Sequence, residues 1–325
     1  MTETTKAELS WTEAVLDTQG PATMRDSVIL FIKGLFMGAA NIIPGVSGGT
    51  IALITGIYQE LLFAIRSVNI NTLIHLKNFQ LKQALHTIHI RFLFVLSLGV
   101  AAAIFSLAHI MNFVFRTYPI LTWSFFFGLI VASIVVMGVR NKKWLGSGGI
   151  AFLIGTALSF FFVGLIPVST PESWCFIVIA GAITICTMIL PGLSGAFLLL
   201  ILGKYEYITN AVKNPFIWSN FVDLSLFLVG CGLGIVAFSR LLSFMLKRYE
   251  NVTMALLTGI MCGSLRKVWP WKETVESRII RGKEYIISEI NILPSQFDLH
   301  FWAAVGLALL GLFLVILLEK SAADR

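Results

Sequence analysis

A chain of 325 residues that is 57% hydrophobic and only 13% charged, with a mean hydropathy of +0.86, lies far from soluble-domain usage, in which charged residues alone make up about a quarter. It reads as an all-α polytopic membrane protein. The net charge of +7 does not imply a nucleic-acid partner, because the basic residues cluster at the ends of hydrophobic runs, where they encode membrane orientation.

In chain order, residues 1–24 are a polar arm carrying Glu3, Glu8, Glu13 and Asp17, without the basic start, apolar core and cleavage site of a signal peptide. Residues 25–168 hold five hydrophobic runs, at 27–43, 46–65, 92–115, 119–140 and 148–167. Between the second and third, residues 69–89 place Ile70, Leu73, Ile74, Leu81, Leu85 and Ile88 at helical spacing beside Lys77, Lys82, His75 and His86. That pattern predicts one amphipathic helix on the cytoplasmic interface, with a solvated linker helix as the alternative. Residues 169–320 hold five matching runs, at 174–190, 193–212, 222–246, 251–268 and 299–319. The insertion at 268–297 sets Ile279, Ile280, Ile286 and Ile287 among charges and is expected to form an external cap or interfacial helix. Cys175, Cys186, Cys231 and Cys262 lie in apolar runs with no CxxC spacing, so neither a metal site nor a disulfide framework is indicated, and no cofactor is expected.

The two halves repeat. The phrase Pro-Gly-x-Ser-Gly occurs at 44–48 and again at 191–195, and the same offset of 147 pairs Gly34 with Gly181, Gly56 with Gly203 and Tyr58 with Tyr205. Further on the offset is 131, pairing Gly99 with Gly230, Phe113 with Phe244 and Gly128 with Gly259. Each half has an odd number of crossings whether its motif-bearing pair is a re-entrant hairpin or two full spans, so the halves are predicted to be inverted, an arrangement common in secondary transporters. With that topology most basic residues outside the 268–297 insertion fall on the N-terminal side, and both termini are predicted to be cytoplasmic in a multi-pass inner-membrane protein.

The motif has a chemistry. Proline lacks an N–H and disfavours helix in the residue before it, while glycine permits unusual dihedrals, so one helix stops and another begins. A helix starting there presents N–H groups and a positive dipole end to an anion. The candidate binding residues are Asn41, Pro44, Gly45, Ser47, Gly48, Gly49, Thr50, Pro191, Gly192, Ser194 and Gly195, with Arg240 either a phosphate or counter-ion contact or a cation that snorkels toward the cytoplasmic face. Small residues also permit tight helix packing, which is the alternative role for the glycines and serines. Of the other charges near spans, Lys33 reads as an orientation signal, and Glu60, Lys204 and Glu206 as interfacial and solvated. His109 reads as a packed residue, with a proton relay as the alternative.

The stretch Gly34 to Thr50 with Gly56-Ile57-Tyr58, and its partner Leu190 to Gly195 with Leu202 to Glu206, resemble the paired signatures of a bacterial membrane family once called domain of unknown function 368. The resemblance runs from about residue 25 to 320. It implies a polyprenyl-phosphate transporter rather than an enzyme, carrying undecaprenyl phosphate from the outer to the inner leaflet for recycling in cell-envelope synthesis. The implied partners are that lipid, the surrounding membrane lipids, and protons or another coupling ion. Where the family usually has an acidic residue this chain has Asn41, so proton coupling at that position is not implied. Two other functions share the anion chemistry: a small-anion channel or carrier, and an intramembrane lipid-pyrophosphate phosphatase. The phosphatase would be expected to carry an arginine in the loop, where Gly48 stands here.

Overall fold

The computed structural model describes residues 18–42, 47–68, 70–140, 146–165, 170–280 and 283–323. The first half begins with α1 (Met24–Ile42), then the short α2 (Gly48–Ile54) and α3 (Tyr58–Ser67), the surface pieces α4 (Ile70–Lys77) and α5 (Leu81–Thr87), and the long α6 (Ile90–Thr117), α7 (Pro119–Arg140) and α8 (Ser147–Phe162). The second half repeats the order with α9 (Trp174–Ile189), α10 (Gly195–Ile201), α11 (Tyr205–Lys213), α12 (Trp218–Arg248), α13 (Glu250–Val268) and α14 (Leu299–Ala323). Between α13 and α14 stands a hairpin of β1 (Lys272–Ile280) and β2 (Lys283–Asn291).

Among the described residues, four segments are long and apolar enough to cross a membrane: Ile90–Leu107, Pro119–Val139, Trp218–Arg248 and Leu299–Leu317. Their outward faces carry Phe105, Val139, Leu228 and Leu299, all of them well exposed, as a lipid-facing surface requires. The chain is therefore a mostly helical, multi-pass membrane protein. The pair α2 and α3 is bent by 119° at Thr55 to Ile57. With seven and ten residues they reach about 10 and 15 Å, so neither arm crosses about 30 Å of hydrocarbon alone.

Among the described residues the long helices pack in four pairs, and the pairing repeats between the halves. A Cβ added at Gly34 of α1 would strike the Leu96 carbonyl of α6, and one at Gly181 of α9 would strike the Phe227 carbonyl of α12. Both partners are displaced by the sequence offsets, 147 for the glycines and 131 for the carbonyls. The remaining pairs join the halves. Gly128 of α7 abuts the Ala308 carbonyl of α14, and Gly259 of α13 abuts the Phe152 carbonyl of α8. Phe152 and Ala308 are 156 apart, as are Gly155 and Gly311, which face Leu256 and Phe125 in turn. The last span of each half thus crosses over to the fourth span of the other, at an offset that the motifs do not display. In the α1–α6 pair the contact points advance together, Gly34 on Leu96 and Gly38 on Val100, so those helices run parallel. The same holds for α9 with α12 and for α8 with α13.

Two expectations are corrected. The 268–297 insertion is an antiparallel hairpin, pairing Lys272 with Asn291 and Ile279 with Glu284 and irregular near Thr274 to Ser277, rather than a helix. Its β-branched Thr274, Val275, Ile279, Ile280, Ile286 and Ile287 favour strands, which outweighs an apolar spacing that also fits a helix. Residues 69–89 hold two short helices, not one. The break falls at Phe79, which is 89% exposed and takes a positive φ of 56°. No regular helix passes through that conformation.

Candidate functional site

The site is built where the two motif copies meet. Pro191 cannot continue α9, so the carbonyls at the end of that helix need other donors. They find them on the first copy: the Ser47 hydroxyl lies 3.3 Å from the Met188 carbonyl and 3.2 Å from that of Leu190, and the Tyr58 hydroxyl donates to the Ile189 carbonyl at 3.1 Å. In return the Gly192 N–H, in a turn at φ 85°, donates to Thr50 Oγ1 at 2.8 Å. Gly49 sits so close that a Cβ there would lie 2.5 Å from the Ile189 carbonyl oxygen. Ser47, Thr50 and Tyr58 are all buried. Residues more than 130 positions apart are thereby clamped together at the middle of the fold.

The first copy is capped by the protein itself. Ser47, extended at φ −115° and ψ 136°, accepts the Gly49 N–H at 3.1 Å, and Asn41 Oδ1 accepts the Gly48 N–H at 2.8 Å. The second copy is not. Ser194 has the same extended geometry, φ −110° and ψ 127°, yet makes no capping bond, and the position matching Asn41 is Met188, which has no acceptor to offer there. A cleft of about 50 Å³ lies between the copies, lined by Asn41, Ser47, Met188, Leu193, Ser194, Gly195 and Ala196. Beyond the Ser47 hydroxyl, which is already engaged, the donor groups on its lining residues are the backbone N–H groups at the start of α10, the Ser194 hydroxyl and the Asn41 amide.

Of the predicted residues, Asn41, Ser47, Ser194 and Gly195 line this cleft. Pro44 and Gly45 lie outside the described residues. Gly48, Gly49, Thr50, Pro191 and Gly192 are buried and do not line it; Thr50 with Gly192, and Gly49 against Ile189, hold the two copies together. Close packing accounts for the glycines: Gly48 faces the Asn41 amide, Gly49 the Ile189 carbonyl, and Gly192 the Ser264 side chain. Arg240 is exposed on α12 and is not among the described residues that line this cleft.

Lys204 corrects the expectation of interfacial solvation, since it is only 3% exposed. Its ammonium donates to the Thr170 carbonyl at 2.8 Å and lies 5.3 Å from the Tyr207 ring centre. Lys33 similarly donates to the Thr55 carbonyl at 2.8 Å, at the end of α2. Glu60 is exposed and Glu206 half-buried. The sequence shows Tyr58 as a counterpart of Tyr205, but only the fold shows that it secures the end of α9.

Two further features lie outside the cleft lining. Beside the α2–α3 bend, a cleft of about 280 Å³ is lined by Gly56, Tyr58, Gln59, Glu250 and Met254, with the Gln59 amide 3.4 Å from the Glu250 carboxylate. At the root of the hairpin, Lys272 lies 4.3 Å from the centre of the Trp123 ring and 3.4 Å from Glu289. Burial pushes its ammonium pKa down to about 8, with Glu289 opposing the shift and Lys267 adding to it.

A family model described as undecaprenyl phosphate translocase-like matches residues 37–285, an interval that contains both motif copies and the hairpin strand β1. The chain belongs to that family. Among curated relatives of this translocase-like chain, a "polyprenyl-phosphate transporter" of Vibrio cholerae is 40% identical over 306 residues, covering 90% of this chain and 96% of the relative. A protein of the same description from Staphylococcus aureus is 31% identical over 257 residues, covering 74% of this chain and 86% of its own length. No solved structure matches this member of the family.

Proposed function

We propose that the protein transports a polyprenyl phosphate across the membrane, taking undecaprenyl phosphate from the outer to the inner leaflet of the bacterial inner membrane for reuse in cell-envelope synthesis. The observation that carries the reading is the small polar cleft between the two Pro-Gly-x-Ser-Gly copies, in a chain whose relatives are described as polyprenyl-phosphate transporters. A monophosphate needs donors and no facing carboxylate. The cleft offers the Ser194 hydroxyl, the uncapped first turn of α10 and the Asn41 amide, and among the described residues no acidic one lines it. An acid in place of Asn41 would repel the phosphate when ionised; the amide supplies a donor instead.

The repeated pairing of spans supports an inverted arrangement of the halves with both termini cytoplasmic. Because α1 and α6 run parallel, the chain returns to its starting side through the bent α2 and α3. Transport then consists of rocking the halves about the fixed cleft, opening it to one leaflet and then the other. At about 50 Å³ the cleft is tight for a phosphate, so binding requires the Ser47 contacts to the end of α9 to loosen. Binding and rocking are thereby coupled through the same hydrogen bonds. Protons or another coupling ion would drive the cycle at a site other than Asn41.

In cells lacking other carriers, Ser47→Leu and Ser194→Leu should each leave undecaprenyl phosphate stranded in the outer leaflet, as read by a leaflet-specific probe. Wild-type leaflet distribution in both variants would overturn the assignment.

A further inference from the structure

A second cavity of about 240 Å³ lies next to the cleft and has the opposite chemistry. Its walls include Leu35 and Ala39 of α1, Ile51 of α2, Met111 of α6, Phe126 of α7 and Val315 of α14. Among the described residues Thr55 is the one polar side chain on the wall, and its hydroxyl is already donated to the Ile51 carbonyl at 2.7 Å. The cavity sits at the seam between two tightly packed pairs, α1 with α6 and α7 with α14, whose glycine contacts leave no equivalent space inside either pair. Phe36, 42% exposed, stands at its lateral edge, so it opens toward the bilayer.

Two helices lead from the cleft directly into this cavity. On α1, Asn41 lines the cleft and Ala40 the cavity; on α2, Ser47 caps the helix at the cleft while Ile51 lines the cavity. Four residues of helix span about 6 Å, so the two spaces are one helical turn apart. A phosphate ester held in the cleft would therefore place the first units of its hydrocarbon chain in an apolar slot with an open side.

We propose that this cavity seats the phosphate-proximal isoprene units of the polyprenyl chain, making the chain as well as the head part of what is recognised. The inference rests on the transport reading. Apolarity alone cannot select the occupant, because lipid tails are as apolar as the wall and gain nothing by the exchange. Shape can. Leu35, Ile51 and Val315 form a branched wall, and Phe126 a flat one, against which a rigid, methyl-branched, unsaturated chain packs better than a mobile saturated acyl chain.

The test compares two substrates in proteoliposomes: a long polyprenyl monophosphate, and ethyl phosphate as a short monophosphate ester that has no isoprene unit to place in the cavity. Ala39→Trp, which fills the cavity from α1, is expected to slow translocation of the long substrate by at least about tenfold while changing the short one by less than about threefold. Ser47→Leu is expected to slow both, which separates the two sites. Equal loss of both substrates in Ala39→Trp, or loss of neither, would overturn the tail site while leaving the transport reading intact. Failure of the wild-type protein to move either substrate would overturn that reading and the tail site with it. Because Ala39→Trp could impair folding, a second measurement uses the wild-type protein and a prenyl phosphate carrying a diazirine on its second isoprene unit. Photolabelling is expected on Met111 and Phe126 and should be competed by excess polyprenyl phosphate but not by phosphatidylglycerol. Label spread over the exposed faces of α12 and α14, competed equally by both lipids, would overturn the proposal.

Discussion

Thr50 shows how the same side chain takes on a different meaning once its neighbours are known. As part of the motif its hydroxyl is expected to donate to a ligand, yet it is fully buried and accepts the Gly192 N–H of the other half. Thr50→Val keeps the shape and removes the acceptor, leaving a buried donor unpaired at a cost of about 1–3 kcal/mol. Thermal unfolding in detergent should show a clear drop in Tm for Thr50→Val and little change for Thr50→Ser; equal effects in the two variants would mean that the hydrogen bond contributes nothing. The positions of the motif are legible in the sequence because proline, glycine and serine have strong local rules. Their partners are not, because backbone carbonyls such as those of Met188, Ile189 and Leu190 carry no side-chain signal and become acceptors only when Pro191 ends α9 beside Ser47 and Tyr58. Lys204 departs from its expected place for a related reason. Distance along the chain from a helix break places a charge near water, but Thr170, 34 residues away, supplies a carbonyl that allows it to stay buried.

At the scale of elements, apolar length locates the long helices to within a few residues, since a span has to bury its own backbone polar groups. Pairing is legible only in part. Offsets of 147 and 131 show in sequence because they also carry the motif copies and several glycine pairs, whereas the third, 156, repeats one contact glycine, Gly155 with Gly311, and otherwise joins Phe152 to Ala308, which share no residue type. The glycine contacts make a comparison possible within one chain. Ala at Gly128 would drive its Cβ into the Ala308 carbonyl, and Ala at Gly259 would do the same to Phe152, so each should destabilise by about 1–3 kcal/mol and by similar amounts. A methyl added at Gly232, on the lipid-facing side of α12, would meet nothing within 4 Å, and Gly232→Ala should be neutral or gain up to about 1 kcal/mol from helix propensity. Chemical denaturation in mixed micelles would compare the three; a Gly232→Ala loss as large as the others would remove the packing explanation. The hairpin is hard to read from the sequence because strands of this length carry isoleucines at spacings that also fit a helix, and only pairing across 281–282 decides between them.

For the whole molecule, the consequence of inversion is that the two surface excursions, the linker around Asn78 and the hairpin beginning at Lys272, face opposite sides of the membrane. Chain tracing supports it: α1 and α6 run parallel, so residues 70–87 lie on the side where α1 starts, and α8 and α13 run parallel away from that side, delivering the hairpin to the far one. With the four native cysteines replaced by alanine, Asn78→Cys and Glu273→Cys each add one thiol at an exposed position. In intact spheroplasts a membrane-impermeant maleimide should label Glu273→Cys and spare Asn78→Cys until the membrane is permeabilised. Labelling of both in intact spheroplasts would put the two excursions on one side, which two inverted halves cannot produce. The parallel pairs would then have to be rebuilt as a non-inverted repeat, and the cleft between the motif copies would lose the symmetry that lets it open to either leaflet. The opposite assignment, with Asn78→Cys labelled first, would keep inversion and reverse the orientation, moving the termini outside and changing which half faces the incoming lipid.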